Sequence, residues 1–552
     1  MSSDASSYLS ADGLPIASFL DADARAGVIA DNGKASYSID QAATQLLRDS
    51  DTWTSLGQPY TVTYAYRASA PATMPSDSGG FQQFNTAQID RTELALKAWE
   101  DVANIHFVRI GVGTAGAGAY SDSAAILFGN YTTGESGSAA FTFFPGSTAA
   151  SSSAGDVWVN GALSYNLNPT VGNYGGMTIV HEIGHAIGLE HPSDYDASTG
   201  AGLTYATNAS YYEDDRQYTV MSYFSEANTG AAFGGAYPAA PQLDDIAAAQ
   251  QAYGANMTTR LGDTVYGFHS NADKPWYVAS SSATKLVFAV WDAGGNDTFD
   301  FSGYSNNQLI DLRPGNFSNV GGLTGNVAIA RNVTIENAIG GAGADVIYGN
   351  SAGDTINGGP GDDDIIGGSG ARNQLAGGDG NDLITGGAGF DAVNGNKGAD
   401  TIDGGSGGND WLLGGQGSDL ITAHSGANIM NGNLGDDVVI GGAGDDTVRG
   451  GQGADSLSGG AGNDHLLGDL GNDSMTGGTG ADTFHFQLGG GQDLVTDFNA
   501  AEGDHLELDG VATYSLTQDA VGAVISIGLG GDTITLAGVD GASLPAGSIV
   551  LA

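Results

Sequence analysis

Three histidines, His181, His185 and His191, lie within one run that reads His-Glu-Ile-Gly-His-Ala-Ile-Gly-Leu-Glu-His-Pro. On a helix, residues four apart share a face, so His181 and His185 can offer two imidazole nitrogens to one cation. Gly188 follows three residues after His185. A residue free to take positive φ there can end the helix and turn the chain back, which brings His191 to the same metal. Three neutral imidazoles suit zinc and leave a coordination position for water, the arrangement of a catalytic rather than a structural site. Glu182, beside the first histidine, is the carboxylate that can take the proton of that water. A helix with surface histidines would account for one pair of ligands, but not for a carboxylate, a glycine and a third histidine at consistent offsets.

Downstream, the segment Thr219-Val220-Met221-Ser222-Tyr223-Phe224 places Met221 thirty residues beyond His191, with Tyr223 two residues further on. Together with the histidine run this resembles the signature and methionine turn of the metzincins. Within that group the chain resembles the serralysin family, the secreted bacterial zinc endopeptidases. The resemblance implies zinc ligands at His181, His185, His191 and Tyr223, and a structural Met221 in a loop beneath the metal. It also implies that Tyr223 leaves the metal to stabilise the transition state. Glu182 is then general base, and general acid towards the leaving amine. The expected activity is hydrolysis of peptide bonds in extracellular proteins with broad specificity.

The elements that must position these residues read as α/β. Ser38 and Gln41 are spaced as a capping box for a helix over 38–48, and Ile89, Leu94, Trp99 and Val102 mark an amphipathic helix over 87–102. Strand-like runs occur at 60–66, 106–110, 124–128, 139–144 and 156–160. The ligand-bearing helix is expected over 176–187 and a last helix over 243–253. The run 139–144 is the candidate edge strand, where an extended peptide adds through main-chain hydrogen bonds.

Composition bounds the remainder. At 552 residues two or three domains are expected. Sixteen Lys and Arg against 63 Asp and Glu give a formal charge of −47, which argues against nucleic acid or an anionic membrane as partner and for calcium. With no cysteine there is no disulfide framework and no thiolate ligand. The first sixteen residues lack the basic and apolar segments of a secretory signal peptide, and no stretch is apolar enough to span a bilayer.

Between Gly340 and His485 a nine-residue unit recurs sixteen times, as in Gly441-Gly-Ala-Gly-Asp-Asp-Thr-Val-Arg449. Six turn residues precede a three-residue strand with an apolar centre, such as Ile347, Ile356, Ile365, Val448 and Leu457. One such residue per unit makes no core alone, but stacked coils bury them as ladders. The sixth-position aspartates then form rows: Asp345, Asp354, Asp363, Asp382, Asp391, Asp400, Asp410, Asp419, Asp437, Asp446, Asp455, Asp464, Asp473 and Asp482. Such rows repel unless neutralised, and calcium, which takes carboxylate and carbonyl oxygens, fits between successive turns. Arg372 and Asn428 stand where the aspartate is expected, and the units at Gly367 and Gly404 carry one extra residue, which argues against calcium there. The unit resembles the RTX nonapeptide, which implies a parallel β-roll with two units per turn.

Further features follow from the resemblance. Calcium is implied at Arg260, Gly262, Thr264, Asp292, Gly294, Gly295 and Asp297, and at Thr334 and Glu336. The expected domains are an N-terminal extension or pro-segment over 1–30, a protease domain over 31–258, a junction over 259–336, the roll over 337–486 and a β cap over 487–552. The tail from Ser548 to Ala552 resembles a type I export signal, with serine where the family often has an acidic residue. Secretion to the outside or to the cell surface is expected, as are protein or peptide substrates, the secretion apparatus as partner, a monomer and no membrane insertion. The alternative is an RTX surface-layer or adhesin-type protein whose protease domain serves processing. A lipase would need a nucleophile elbow, and the Gly-x-Ser-x-Gly at Gly404, Ser406 and Gly408 lies inside a repeat turn with no helix after it.

Overall fold

The chain is seen in a computed structural model that describes residues 25–30, 32–49, 51–75, 78–134, 138–146, 154–195, 202–370, 372–528 and 530–552. Most of the expected N-terminal extension therefore lies outside the described residues. Two compact units divide the chain: Met1–Asp297 with Pro314–Thr334, and Thr298–Arg313 with Ile335–Ala552. The segment 259–336 is shared between them.

The first unit is mixed α/β. The elements that frame the site are α1 (Ile39–Gln45), β1 (Tyr60–Tyr66), α2 (Thr86–Val102), β2 (Ile105–Arg109), β3 (Ile126–Tyr131), β4 (Ala140–Thr142), β5 (Val157–Asn160), α3 (Tyr174–Ala186) and α4 (Leu243–Tyr253). The sheet runs β2-β1-β3-β5-β4, with β4 at one edge and antiparallel to β5. Trp99, Trp158, Tyr66, Phe128 and Tyr131 are fully buried in this unit. Ser38 caps α1 reciprocally with Gln41, as its spacing predicts, and Asn85 with Gln88 does the same for α2.

Helix α3 contains Gly175, Gly176 and Gly184, poor helix formers by intrinsic propensity. Packing overrides that cost. A Cβ on Gly176 would lie 2.0 Å from the Thr170 carbonyl oxygen, and one on Gly175 would lie 2.2 Å from that of Tyr165. Asn173 supplies the N-cap by accepting from Gly176 N at 2.8 Å. The helix is buried from Gly175 to Ala186, so no face of it follows solvent.

The second unit is a parallel β-roll. Alternate strands join two sheets, so that Ile356 pairs with Leu375 and then Val393 in one, while Ile365 pairs with Ile384 and then Ile402 in the other. These residues, with Leu412, Met430, Val448, Leu457 and Leu466, are at most 2% exposed and form the apolar ladders. Many strands are longer than the three residues expected, as in Trp411–Gln416 and Thr447–Gln452, because pairing continues across the two glycines of the next unit. Glycine permits that closeness: at Gly378, with φ +132°, a Cβ would lie 1.7 Å from the Gly359 carbonyl oxygen. The roll ends in an antiparallel set, Tyr514–Gln518, Gly522–Ile527 and Asp532–Ala537, with Ile525 and Leu536 buried. The tail Ile549–Leu551 pairs in parallel with Leu506–Leu508. Among the described residues no helix is long and apolar enough to cross a membrane.

Candidate metal centre and carboxylate rows

Helix α3 carries His181 and His185 on one face, and the chain then reverses at Gly188, where φ is +100°. Gly188 N donates to the His185 carbonyl at 2.9 Å, and a Cβ on Gly188 would lie 2.8 Å from the Asp51 carbonyl oxygen. That turn brings His191 to the other two. The three Nε2 atoms are separated by 3.1, 3.1 and 3.4 Å and form one potential metal-ligating group. His181 Nδ1 donates to the Val220 carbonyl at 2.8 Å and His185 Nδ1 to that of Leu189 at 2.6 Å, so each Nε2 lone pair is turned inward. Burial holds His181 down to about 4 and His185 to about 3, and His191 well below its ordinary value, with the other imidazoles adding to it. All three are therefore neutral at pH 7, the state a metal ligand requires.

Glu182 is buried beside them, and burial pushes its carboxyl up to about 8. Thr142, on edge strand β4, donates its hydroxyl to Glu182 Oε2 at 2.6 Å, which opposes the shift and fixes the carboxylate. The Tyr223 ring lies 4.4 Å from that of His191 and 5.7 Å from that of His181, and the side chain is 37% exposed. Met221 is fully buried beneath α3, and a Cβ on Gly184 would lie 2.5 Å from its Sδ.

Buried carboxylates hold the methionine turn. Asp245 accepts from Thr219 Oγ1 at 2.5 Å, Val220 N at 2.7 Å and Gln242 N at 2.8 Å, and the carbonyl of that same Val220 orients His181. Asp214 accepts from Ser193 at 2.6 Å and from Tyr195 and Ser222 at 2.8 Å. Arg25 is buried against Asp244 at 2.9 Å and Glu213 at 3.4 Å, with its guanidinium over the Tyr218 ring. No sequence pattern points to Thr142 or Asp214. Gly184 between two ligands, and Asp245 three residues after Gln242, are signals that the sequence does carry.

The repeat aspartates form two rows. In one, Asp345, Asp363, Asp382, Asp400, Asp419, Asp437, Asp455 and Asp473 each donate their backbone N–H to Oδ1 of the next, ending at Asp493. The other runs Asp354, Asn373, Asp391, Asp410, Asn428, Asp446, Asp464, Asp482 and Asp504. Asn373, not Arg372, takes the aspartate's place in the unit at Gly367, because the extra residue shifts the register so that Leu375 pairs with Ile356. Asn428 also keeps the row, and Asp493 and Asp504 extend both rows beyond the nonapeptides.

A second oxygen at most of these aspartates is buried with no protein partner, for example Oδ2 of Asp363, Asp400, Asp437 and Asp473. A Cβ on Gly358 would lie 2.3 Å from Asp363 Oδ2 and 2.7 Å from the Gly377 carbonyl oxygen. A carboxylate oxygen and a carbonyl of the next coil thus converge beside each such glycine. Burial pushes Asp354, Asp363, Asp382, Asp455 and Asp473 up to about 7, and Asp345, Asp410, Asp419 and Asp464 to about 6.

At the junction, Thr264 N donates to Asp297 Oδ1 at 2.8 Å, Gly294 N to Asp292 Oδ1 at 3.0 Å, and a Cβ on Gly295 would lie 2.7 Å from the Gly262 carbonyl oxygen. Arg260 has φ +51° and places its guanidinium against Asp101. Thr334 ends the first unit, while Glu336 lies in the second, where its carbonyl accepts from Thr355 N at 2.9 Å.

Three imidazoles closing on one point above a methionine turn, in a chain that continues as a parallel β-roll, define the class of the M10 metallopeptidases. Residues 78–221 match the Matrixin family and residues 255–521 the family described as Peptidase M10 serralysin C terminal. The chain is 49% identical over 319 residues to serralysin C of Dickeya chrysanthemi, covering 57% of this chain and 65% of that protein. It is 48% identical over 336 residues to the metallopeptidase AprA of Pseudomonas marginalis, covering 59% and 68%. The serralysin of Proteus mirabilis is 47% identical over 331 residues, covering 57% and 65%. The chain belongs to the serralysin family. The matches span about two thirds of these relatives' own length.

Two outcomes follow from this geometry. Asp245→Asn removes a carboxylate acceptor behind Val220, and zinc affinity should fall about 10- to 100-fold in a competition titration; unchanged affinity would show that the turn holds itself. In protein stripped of divalent cations, the raised aspartates favour the protonated folded state. Their stabilisation is complete below the unfolded value of about 3.8 and is lost as pH rises through about 6 to 7. Acidification from about pH 8 to about pH 4 should therefore raise the β-signal of the roll in circular dichroism, and a signal that falls would contradict it.

Proposed function

We propose that the chain is a zinc metalloendopeptidase that hydrolyses peptide bonds of extracellular proteins with broad specificity. The observation that carries this reading is the convergence of three inward-turned Nε2 atoms beside a buried Glu182 that is tied to the edge strand of the sheet. Zinc held by His181, His185 and His191 supplies a Lewis acid and lowers the pKa of bound water from about 15.7 towards 7.

The chain's own residues do the rest. An extended substrate adds to edge strand β4 through main-chain hydrogen bonds, a mode of recognition that depends weakly on side chains. The Thr142 hydroxyl on that same strand holds Glu182, so the docked peptide and the base share one scaffold. Glu182 takes the proton of the attacking water and returns it to the leaving amine. Tyr223, whose ring packs on that of His191, donates its hydroxyl to the oxyanion in this reading, and would be a further zinc ligand in the resting enzyme.

The aspartate rows serve as calcium sites, with carboxylate and carbonyl oxygens between successive coils. The unpartnered Oδ2 atoms support this, since buried anionic oxygens require a cation. The residues at Gly262, Thr264, Asp292, Gly294, Gly295 and Asp297 form a further calcium cluster, with Arg260 and Thr334 as further calcium ligands in the first unit and Glu336 as one in the second. In a calcium-poor cytoplasm the array stays unfolded and passes through a type I secretion channel; outside, calcium folds it. The working form is a secreted monomer, with residues 1–30 an N-terminal extension or pro-segment, 31–258 the protease domain and 487–552 the cap and export signal.

Casein hydrolysis with zinc present separates the readings. Glu182→Ala should lower kcat about 10²- to 10⁴-fold with zinc content unchanged, and equal activity in both proteins would overturn the proposal. Chelation of calcium near neutral pH should abolish most of the β-signal from residues 340–485, with recovery on adding calcium; an unchanged spectrum would exclude calcium-coupled folding.

A further inference from the structure

One outer face of the roll carries a groove of about 990 Å³ that runs across the strands from Asn357 to Gln487. Its floor is the column of second glycines, Gly378, Gly415 and Gly451 among them, and its walls are the columns on either side. At alternate coils the floor departs from the repeat: Asn396, Asn433 and Asp469 replace glycine while keeping φ at +78°, +77° and +68°. Asn and Asp tolerate such φ better than other side chains, but glycine holds it at least cost, so these positions forgo the residue that the repeat supplies elsewhere. Asn394-Gly395-Asn396 and Asn431-Gly432-Asn433 repeat one tripeptide two coils apart. Within each, the second Asn donates backbone and side-chain N–H to the first at 3.0–3.4 Å, which leaves its own Oδ1 and one N–H for a ligand.

The electrostatics narrow the ligand. Residues 337–486 contain three Lys and Arg in an otherwise acidic array, and two of them, Lys397 and Arg449, line this groove. Both are already paired, Lys397 with Asp379 at 2.7 Å and Arg449 with Asp469, so the groove is locally neutral. On strands that cross the groove, Arg372 lies over the Phe390 ring, and Trp411, 55% exposed and four residues before the floor residue Gly415, meets Phe390 edge-on with ring centroids 5.9 Å apart.

We propose that this groove binds an extended, neutral polysaccharide strand lying along the roll axis. Amide side chains offer a donor and an acceptor together, as hydroxyl groups require, and the exposed Trp411 offers an apolar face to a sugar ring. The backbone N–H and C=O groups of the floor are consumed in the sheet, so a peptide could not add there as a strand. Spacing agrees: coils repeat at roughly 4.8 Å, close to the advance of one sugar in an extended chain, whereas a peptide advances roughly 3.3 Å per residue. The Asn396 and Asn433 positions, two coils apart, then meet every second sugar. This inference is independent of the catalytic reading.

The test uses the full chain with calcium, and cellohexaose as probe in isothermal titration calorimetry. The variant Asn396→Gly with Asn433→Gly restores the repeat's own glycine, so it should melt at or above the wild-type temperature. Wild type should bind cellohexaose saturably, and the variant at least ten-fold more weakly. Equal affinity in both proteins, no saturable heat for wild type at millimolar sugar, or binding confined to an alginate hexamer would each overturn the proposal, the last in favour of an acidic polymer.

Discussion

A carboxylate removed from water must be met by hydrogen-bond donors or by a cation, and both units of this chain are organised around that requirement. In the first unit the donors are protein groups: three surround Asp245, three surround Asp214, and Arg25 is shared by Asp244 and Glu213. These acids are fully buried, and the methionine turn hangs from one of them. In the second unit most row aspartates receive one backbone N–H through Oδ1 and have no protein partner at the other oxygen; Asp354 has the two oxygens exchanged, accepting from Asn350 N at Oδ2. The first arrangement is complete within the chain. The second leaves charge to be answered by something bound.

That difference separates a rigid site from a conditional one. The histidines are held by carbonyls on two sides of a reversing chain, so their geometry depends on packing around α3, where Met221 and Gly184 interlock. The roll instead depends on its ionic surroundings. Its apolar ladders are one side chain wide per coil, and burial of a row of acids opposes them until the charge is neutralised. Neutralising those buried acids, by protons or by cations, therefore favours the folded roll without altering a residue.

Much of the fold is legible in periodicity. Helix α4 and strand β1 occur over the residues their patterns mark, because period and caps are local properties. Asn373 shows where local reading fails: counting nine residues puts Arg372 in the row, whereas strand pairing fixes the register by the apolar residue, Leu375, and moves the row by one. Strand length fails likewise, since the unit reads as a three-residue strand and a turn, while stacked neighbours draw the glycines into the ladder. Asp493 and Asp504 have no nonapeptide around them and join the rows only by position in space.

By itself the sequence determined the three-histidine cluster, the methionine turn, the repeat and its acidic rows, because each rests on spacing within a few residues or on recurrence. Tertiary structure alone decided which oxygen of each aspartate is satisfied, that Thr142 on the edge strand holds Glu182, and that Asp245 supports the carbonyl behind His181. It also gathered Asn396, Asn433 and Asp469, 73 residues from first to last, onto one groove floor. The reason is physical: hydrogen bonds and burial join residues that pairing brings together, and no spacing along the chain encodes a distance that only register creates.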